Sequence, residues 1–137
     1  MGLYLIQEGE GANEYLDGAC LYATPWDLVN GCNHFYQVLH GIYAKGMGKR
    51  LNDTTLHKIL PHMKPYLSEE DYKYYEGVLT RNKAGLQGFD KEIFPRMFGY
   101  KDEQDYYRKC SLIHNGLEKI RVPTFCLGSR DDQVAGD

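Results

Sequence analysis

Two acidic positions follow short apolar runs that are bounded by turn formers. Asp27 follows Gly18-Ala-Cys-Leu-Tyr-Ala-Thr24, and Asp131 and Asp132 follow Arg121-Val-Pro-Thr-Phe-Cys-Leu127. In open α/β sheets, ligands and reacting groups sit beyond the carboxyl ends of the strands. A carboxylate there can accept the N–H of a histidine, fix its tautomer and stabilise the imidazolium formed during a proton transfer. Aspartate is also a common turn former and helix cap. Asp27 stands directly before Leu28-Val29 and reads as an N-cap. The turn Gly128-Ser-Arg-Asp-Asp132 reads instead as a catalytic-acid loop.

A carboxylate needs partners, and the other reactive residues supply few. The serines are Ser68, Ser111 and Ser129, and none lies in a Gly-x-Ser-x-Gly pattern. The histidines are His34, His40, His57, His62 and His114. His57 and His62 are five apart, which places them on different helix faces, unlike the i, i+4 pair of a zinc-binding helix. All five read as surface or half-buried side chains. Cys20, Cys32, Cys110 and Cys126 are widely spaced and form no Cys-x-x-Cys pair, against a zinc knuckle or a thioredoxin-type motif. They read as thiols in a reducing compartment. Gly46-Met-Gly-Lys49-Arg50 hints at a phosphate loop, but the required Gly-x-x-x-x-Gly-Lys-[Ser/Thr] is not met and no strand precedes it. It reads as a flexible hinge with two solvated charges. No metal or cofactor is expected.

Composition narrows the field further. A formal net charge of -3 gives no wholesale attraction to nucleic acid. The 12 tyrosines suit half-buried positions or an amphipathic cavity, because each carries a ring to bury and a hydroxyl to satisfy. No signal peptide is visible, and no apolar run approaches the roughly 20 residues that span a bilayer. An intracellular or membrane-associated protein is favoured over a secreted one, and any anchor would precede Met1.

The reactive positions need elements to hold them. Residues 2–8 read as a short amphipathic helix ended by Gly9 and Gly11, already under way before Met1. Residues 18–24 and 121–127 read as strands buried on both faces of a parallel sheet. From Leu28 to Cys110 the pattern is helical. Phe35, Val38, Leu39 and Ile42 recur at helical spacing. Asn52-Asp-Thr-Thr55 reads as an N-cap cluster for a helix carrying Leu56, Ile59, Leu60 and Met63, limited by Pro61 and Pro65. Ser68-x-x-Asp71 resembles a capping box ahead of Tyr72, Tyr75, Val78 and Leu79. Asp102-x-x-Asp105 opens a further helix, with Tyr106 and Cys110 behind it. Phe89 to Tyr100 reads as an aromatic loop with little periodicity. Two parallel strands joined by a long helical excursion define an α/β class, and two strands alone cannot complete such a sheet.

The chain resembles the YheT-like, embryogenesis-associated (abhydrolase-domain) branch of the α/β-hydrolase superfamily. The matching pieces are Glu8-Gly-Glu10, Leu16-Asp-Gly-Ala19, Thr24-Pro-Trp-Asp-Leu28, Met97-Phe-Gly-Tyr-Lys101 with Asp105-Tyr-Tyr-Arg108, and Ile120-Arg-Val-Pro-Thr-Phe-Cys-Leu127 leading to Asp131-Asp132. They run in family order over almost the whole chain. The resemblance implies hydrolysis of a carboxylic ester or acyl lipid by a Ser-Asp-His triad. It implies a partial fold: a post-elbow helix and core strand in 1–27, a helical lid in 28–118, and a core strand with the acid loop in 119–137. Counting from Gly128 selects Asp131 as the triad acid, and aligning Asp132-Gln-Val selects Asp132, which is preferred. Ala135-Gly136 departs from the family pattern, where proline is usual. The nucleophile elbow would lie ahead of this chain and the triad histidine after it. His114 precedes the acid strand, whereas the fold's chain order puts the base last. The lid would line an acyl pocket through Phe35, Tyr36, Tyr74, Phe94, Met97 and Phe98. On this reading the isolated chain is inactive and poorly soluble, and membrane association would come from the part ahead of Met1. The alternative is a non-catalytic helical module that binds a partner or a lipid.

Overall fold

The computed structural model describes residues 1–37, 41–81 and 85–132. Val38, Leu39, His40 and the Ala135-Gly136 departure lie outside them. The chain divides into two compact units: Met1–Phe35 with the chain from Tyr107 onward, and Tyr36–Tyr106.

The first unit is built on two strands. Helix α1 (Gly2–Glu8) ends at Gly9, whose φ of 55° is the left-handed geometry that glycine tolerates. Strand β1 (Ala19–Tyr22) pairs in parallel with β2 (Thr124–Leu127), Cys20 opposite Phe125 and Tyr22 opposite Leu127. The period of two sends Ala19 and Leu21 to one face. There Leu21 is buried beside Ile6 and Leu112, with Ile120 and Trp26 packed around them. Leu5, Ala12 and Val122 form the adjoining core. On the opposite face, Tyr22 is 73% and Phe125 63% exposed. The expectation of strands buried on both faces therefore fails. Helix α1 packs on the Leu21 face of the ladder, and the other face is exposed at Tyr22 and Phe125.

Helix α2 (Leu28–Gln37) buries Phe35. In the second unit, α3 (Ile42–Thr54) runs straight through Gly46–Arg50. The hinge reading fails there because Gly48 is a packing residue. A Cβ on it would lie 1.9 Å from the Leu86 nitrogen and 2.0 Å from the Gly85 carbonyl carbon. Asn52 to Thr55 do not cap a new helix either. Asn52 is buried in α3, where its amide donates to the Leu79 carbonyl at 2.7 Å. Ile42 is exposed rather than buried.

A π-helical turn, Thr55–Ile59, then leads into α4 (Leu60–Met63). After α5 (Glu69–Arg81) and the single turn α6 (Leu86–Gly88), a second π turn, Phe89–Ile93, leads into α7 (Phe94–Phe98). Both π turns precede a proline by two residues: Thr-Leu-His-Lys-Ile-Leu-Pro61 and Phe-Asp-Lys-Glu-Ile-Phe-Pro95. A proline inside a helix lacks its N–H and crowds the carbonyl four residues back. The widened turn shifts the ladder by one residue, so the Leu60 N–H reaches Thr55 and the Phe94 N–H reaches Phe89. The aromatic loop expected at 89–100 is thus helical as far as Phe98. The inserted residue breaks the 3.6-residue period that would have revealed it.

Leu60, Tyr75, Val78, Leu79, Phe89 and Ile93 form the core of this unit. Ser68 caps the start of α5: the Asp71 N–H donates to Ser68 Oγ at 3.0 Å, and the Ser68 hydroxyl donates to the Asp71 carboxylate at 2.7 Å. Arg96 reaches the same carboxylate through Nε at 3.0 Å and Nη2 at 2.8 Å, and lies over the Tyr74 ring at 4.3 Å. Helix α8 (Glu103–Cys110) opens where the Asp105 N–H donates to Asp102 Oδ1 at 2.8 Å.

The Ser68 hydroxyl, and then Arg96, hold the Asp71 carboxyl below its ordinary value. A lowered folded-state pKa gives stability that is present above the unfolded value and lost as pH falls. The Asp71→Asn variant should therefore be less stable than wild type in urea at pH 7. The gap should shrink below about pH 4 and close as pH falls through the folded-state value. A gap unchanged from pH 7 to pH 2 would contradict this account.

Candidate functional site

The two strands end level, so both following turns leave from the same edge of the ladder. The Ala23 N–H donates to the Leu127 carbonyl at 2.9 Å and continues the ladder one residue beyond β1. Ala23 has φ 47°, the one positive value found on a non-glycine among the described residues. Such a backbone persists only where its surroundings enforce it, and strained residues cluster at functional sites. Nothing in the composition of Leu21-Tyr-Ala-Thr24 signals it.

Asp27 follows β1 and caps α2. Its Oδ1 accepts the N–H of Val29 at 2.9 Å and of Asn30 at 3.2 Å, and its Oδ2 accepts the Asn30 side-chain amide at 2.6 Å. The N-cap reading is what the structure displays. A histidine also lies nearby: His114 Nε2 is 3.9 Å from Asp27 Oδ1. Sequence order had set His114 aside as a base for the Asp131-Asp132 turn, and the pairing with Asp27 has no signal in spacing.

Ser111 completes this corner without adding a nucleophile. It is fully buried. Its Oγ accepts the Leu28 N–H at 2.8 Å and donates to the Tyr107 carbonyl at 2.6 Å. A hydroxyl whose proton is committed to a carbonyl, and which no substrate can reach, is structural. Its work is to satisfy a backbone donor at the start of α2.

The second acidic turn follows β2. The Ser129 hydroxyl donates to Asp131 Oδ1, and the Asp132 N–H donates to the Ser129 carbonyl at 3.2 Å. Asp131 is exposed and Asp132 half-buried. Both sit just past the carboxyl end of the strand, where a carboxylate can meet an incoming imidazole. Among the described residues, no group of three His, Cys, Asp or Glu side chains could hold a metal ion. No described helix is long and apolar enough to cross a membrane.

The aromatic residues expected to line a pocket have other contacts. Phe35 is buried in the first unit. In the second, the Tyr36 hydroxyl donates to the buried Asp90, and Tyr74 stacks on Arg96. Phe94 meets Phe89, Phe98 and Tyr106 at ring-centroid distances of 5.8, 6.1 and 5.6 Å. Phe94 and Met97 pack on the core, and Phe98 is 61% exposed.

No family model matches the chain, and no solved structure gives a significant match. Curated proteins do. Protein abhd-3.2 of Caenorhabditis elegans is 30% identical over 130 residues, which cover 94% of this chain and 32% of the relative. A monoacylglycerol lipase of Saccharomyces cerevisiae is 26% identical over 97% of this chain and 28% of its own. The putative esterase YheT of Escherichia coli is 27% identical over 90% of this chain and 34% of its own. The chain spans about a third of the length of these curated relatives.

The hydrogen bonds of Ser111 set its expected behaviour. Ser111→Ala leaves the Leu28 N–H without that partner and should cost about 1–2 kcal/mol in urea unfolding. A serine-directed fluorophosphonate should not label this residue. Labelling at Ser111, or an unfolding free energy equal to wild type, would refute the structural role.

Proposed function

Because the chain is a relative of α/β-hydrolase lipases and esterases, we propose that it carries the triad acid and the lid of an enzyme that hydrolyses carboxylic esters or acyl lipids. The observation that supports this most is the parallel β1–β2 ladder, with a carboxylate turn directly beyond Leu127. Asp132 is the acid on this reading, with Asp131 as the alternative. Its carboxylate accepts the N–H of an imidazole and holds the ring so that the other nitrogen takes the proton of a serine nucleophile. The serine oxygen then attacks the ester carbonyl, the ester C–O bond breaks as the imidazolium gives its proton to the departing alcohol, and water releases the acyl group as the carboxylic acid in a second step. The helical segment from α2 to α8 is the lid. It would cover the acyl chain and exclude water from the reacting carbonyl.

The nucleophile and the base come from outside this polypeptide. It holds no Gly-x-Ser-x-Gly, and Ser111 is committed to backbone partners. The half-buried position of Asp132, against the exposed position of Asp131, favours Asp132. A desolvated carboxylate holds an imidazolium more strongly than one in bulk water.

A chimera tests this reading. Residues 1–137 would replace the aligned segment of the yeast monoacylglycerol lipase, with p-nitrophenyl butyrate as substrate. The isolated chain should give no turnover, and the chimera should be active. Asp132→Asn in the chimera should lower kcat by about 10⁴-fold, with a much smaller loss for Asp131→Asn. Esterase activity of the isolated chain, or an active chimera indifferent to both substitutions, would overturn the proposal.

A further inference from the structure

One carboxamide holds the end of α8. The last carbonyls of a helix find no partner in its own ladder. Two of those in α8, on Arg108 and Lys109, accept the Asn115 side-chain amide at 3.2 and 3.0 Å. The same Nδ2 donates to the Ser111 carbonyl at 2.6 Å. Ser111 in turn holds the Leu28 N–H at the start of α2. The position needs a short neutral donor, because an ionised aspartate can only accept. The residue after it is equally constrained. Gly116 has φ 86°, a backbone that strains any side chain. Geometry therefore places asparagine directly before glycine.

That dipeptide is chemically labile, since asparagine is among the residues that heat destroys and glycine leaves the following backbone nitrogen unshielded. The Gly116 nitrogen can attack Asn115 Cγ. A new C–N bond forms, the Cγ–Nδ2 bond breaks, and the departing amine takes the proton of the Gly116 nitrogen and leaves as ammonia. The product is a five-membered succinimide. Water opens that ring at one carbonyl or the other, to aspartate or isoaspartate.

The folded chain opposes the attack twice. Asn115 has ψ 8°, which aligns the Gly116 nitrogen with the Asn115 nitrogen rather than with Cβ, so ring closure needs a rotation of the backbone. The departing nitrogen is also the one held by three carbonyls. Both restraints end when the turn after α8 opens. The product cannot close it again. A carboxylate would face carbonyl oxygens at the negative end of the helix dipole, and isoaspartate adds a carbon to the main chain. Arg108 and Lys109 are exposed, so water screens the attraction they offer. The other Asn-Gly pair, Asn30-Gly31, lies within α2, where the Gly31 N–H donates to the Asp27 carbonyl at 2.8 Å.

We propose that Asn115 is a deamidation site gated by opening of the turn after α8, and that its reaction with water removes the cap of that helix for good. This site does not rest on the proposed triad, so the two readings stand or fall separately.

The test holds the full 137-residue chain in mildly alkaline buffer at body temperature, folded or unfolded in urea. Peptide mass spectrometry then follows conversion at Asn115. A synthetic peptide of residues 111–120 gives the unprotected rate. The unfolded chain should match the peptide, and the folded chain should react about tenfold more slowly or less, as expected when only a locally opened state reacts. Asn115→Asp should lower the urea midpoint at least as far as Asn115→Ala, which removes the donor without adding a charge. Equal rates in folded and unfolded chains would overturn the proposal, and so would an Asn115→Asp chain with the wild-type midpoint. Should that variant fail to fold, the rate comparison on the unaltered chain still decides.

Discussion

The parallel pairing of β1 with β2 is the constraint on which the first unit depends. It joins segments separated by most of the chain, from Tyr22 to Thr124. Closing so long a loop is less costly than its length suggests, since each doubling adds only about 0.6 kcal/mol. What holds the ladder is local. Ala19 and Ala23 extend its hydrogen bonding at both ends, each with an N···O distance of 2.9 Å. Leu21 sits in the core beneath it, with Ile6 from α1 and Leu112. Because the strands run in the same direction and end level, the turns carrying Asp27 and Asp131-Asp132 leave from one edge. A shift of one residue would turn Leu21 out of the core and Tyr22 into it.

The two acidic turns then differ in what they do. Asp27 spends its oxygens on the first N–H groups of α2 and on Asn30, which makes it part of the scaffold. The turn after β2 caps no described helix; there the Asp131 carboxylate accepts the Ser129 hydroxyl, and the Asp132 N–H donates to the Ser129 carbonyl. A hydroxyl and a backbone N–H position that loop. This contrast, rather than the residue type, separates a structural aspartate from a candidate catalytic one.

Much of the scaffold was legible in the residues. Continuous apolar runs bounded by turn formers marked both strands, and Ser68-x-x-Asp71 marked the start of α5. The helical segment was read less well, for two physical reasons. Pro61 suggested a limit and Pro95 lay in an expected loop, whereas the backbone keeps its helical course by widening one turn ahead of each. That widening also scrambles the periodicity of Phe89–Phe98. Gly46 to Gly48 suggested a hinge, whereas Gly48 is small so that α3 can approach Gly85 and Leu86. Local sequence cannot separate a glycine needed for freedom from one needed for closeness. The pairing of His114 with Asp27, and the strain at Ala23, depend on tertiary placement and left no trace in spacing. The exposure of Tyr22 and Phe125 was hidden as well, because an apolar strand reads the same whether or not a second layer covers it.

The account stands on the register of the ladder, which a single crosslinking measurement can read. In a chain carrying Phe125→Cys, with Cys32, Cys110 and Cys126 changed to serine, position 125 faces Cys20 directly across the strands. Adjacent positions of this kind lie within reach of a disulfide. Mild oxidation followed by mass spectrometry should find Cys20 joined to the introduced thiol in most molecules. Failure to join them in the folded chain, or capture of the thiol at 125 only between separate molecules, would contradict the parallel pairing and everything built on its edge.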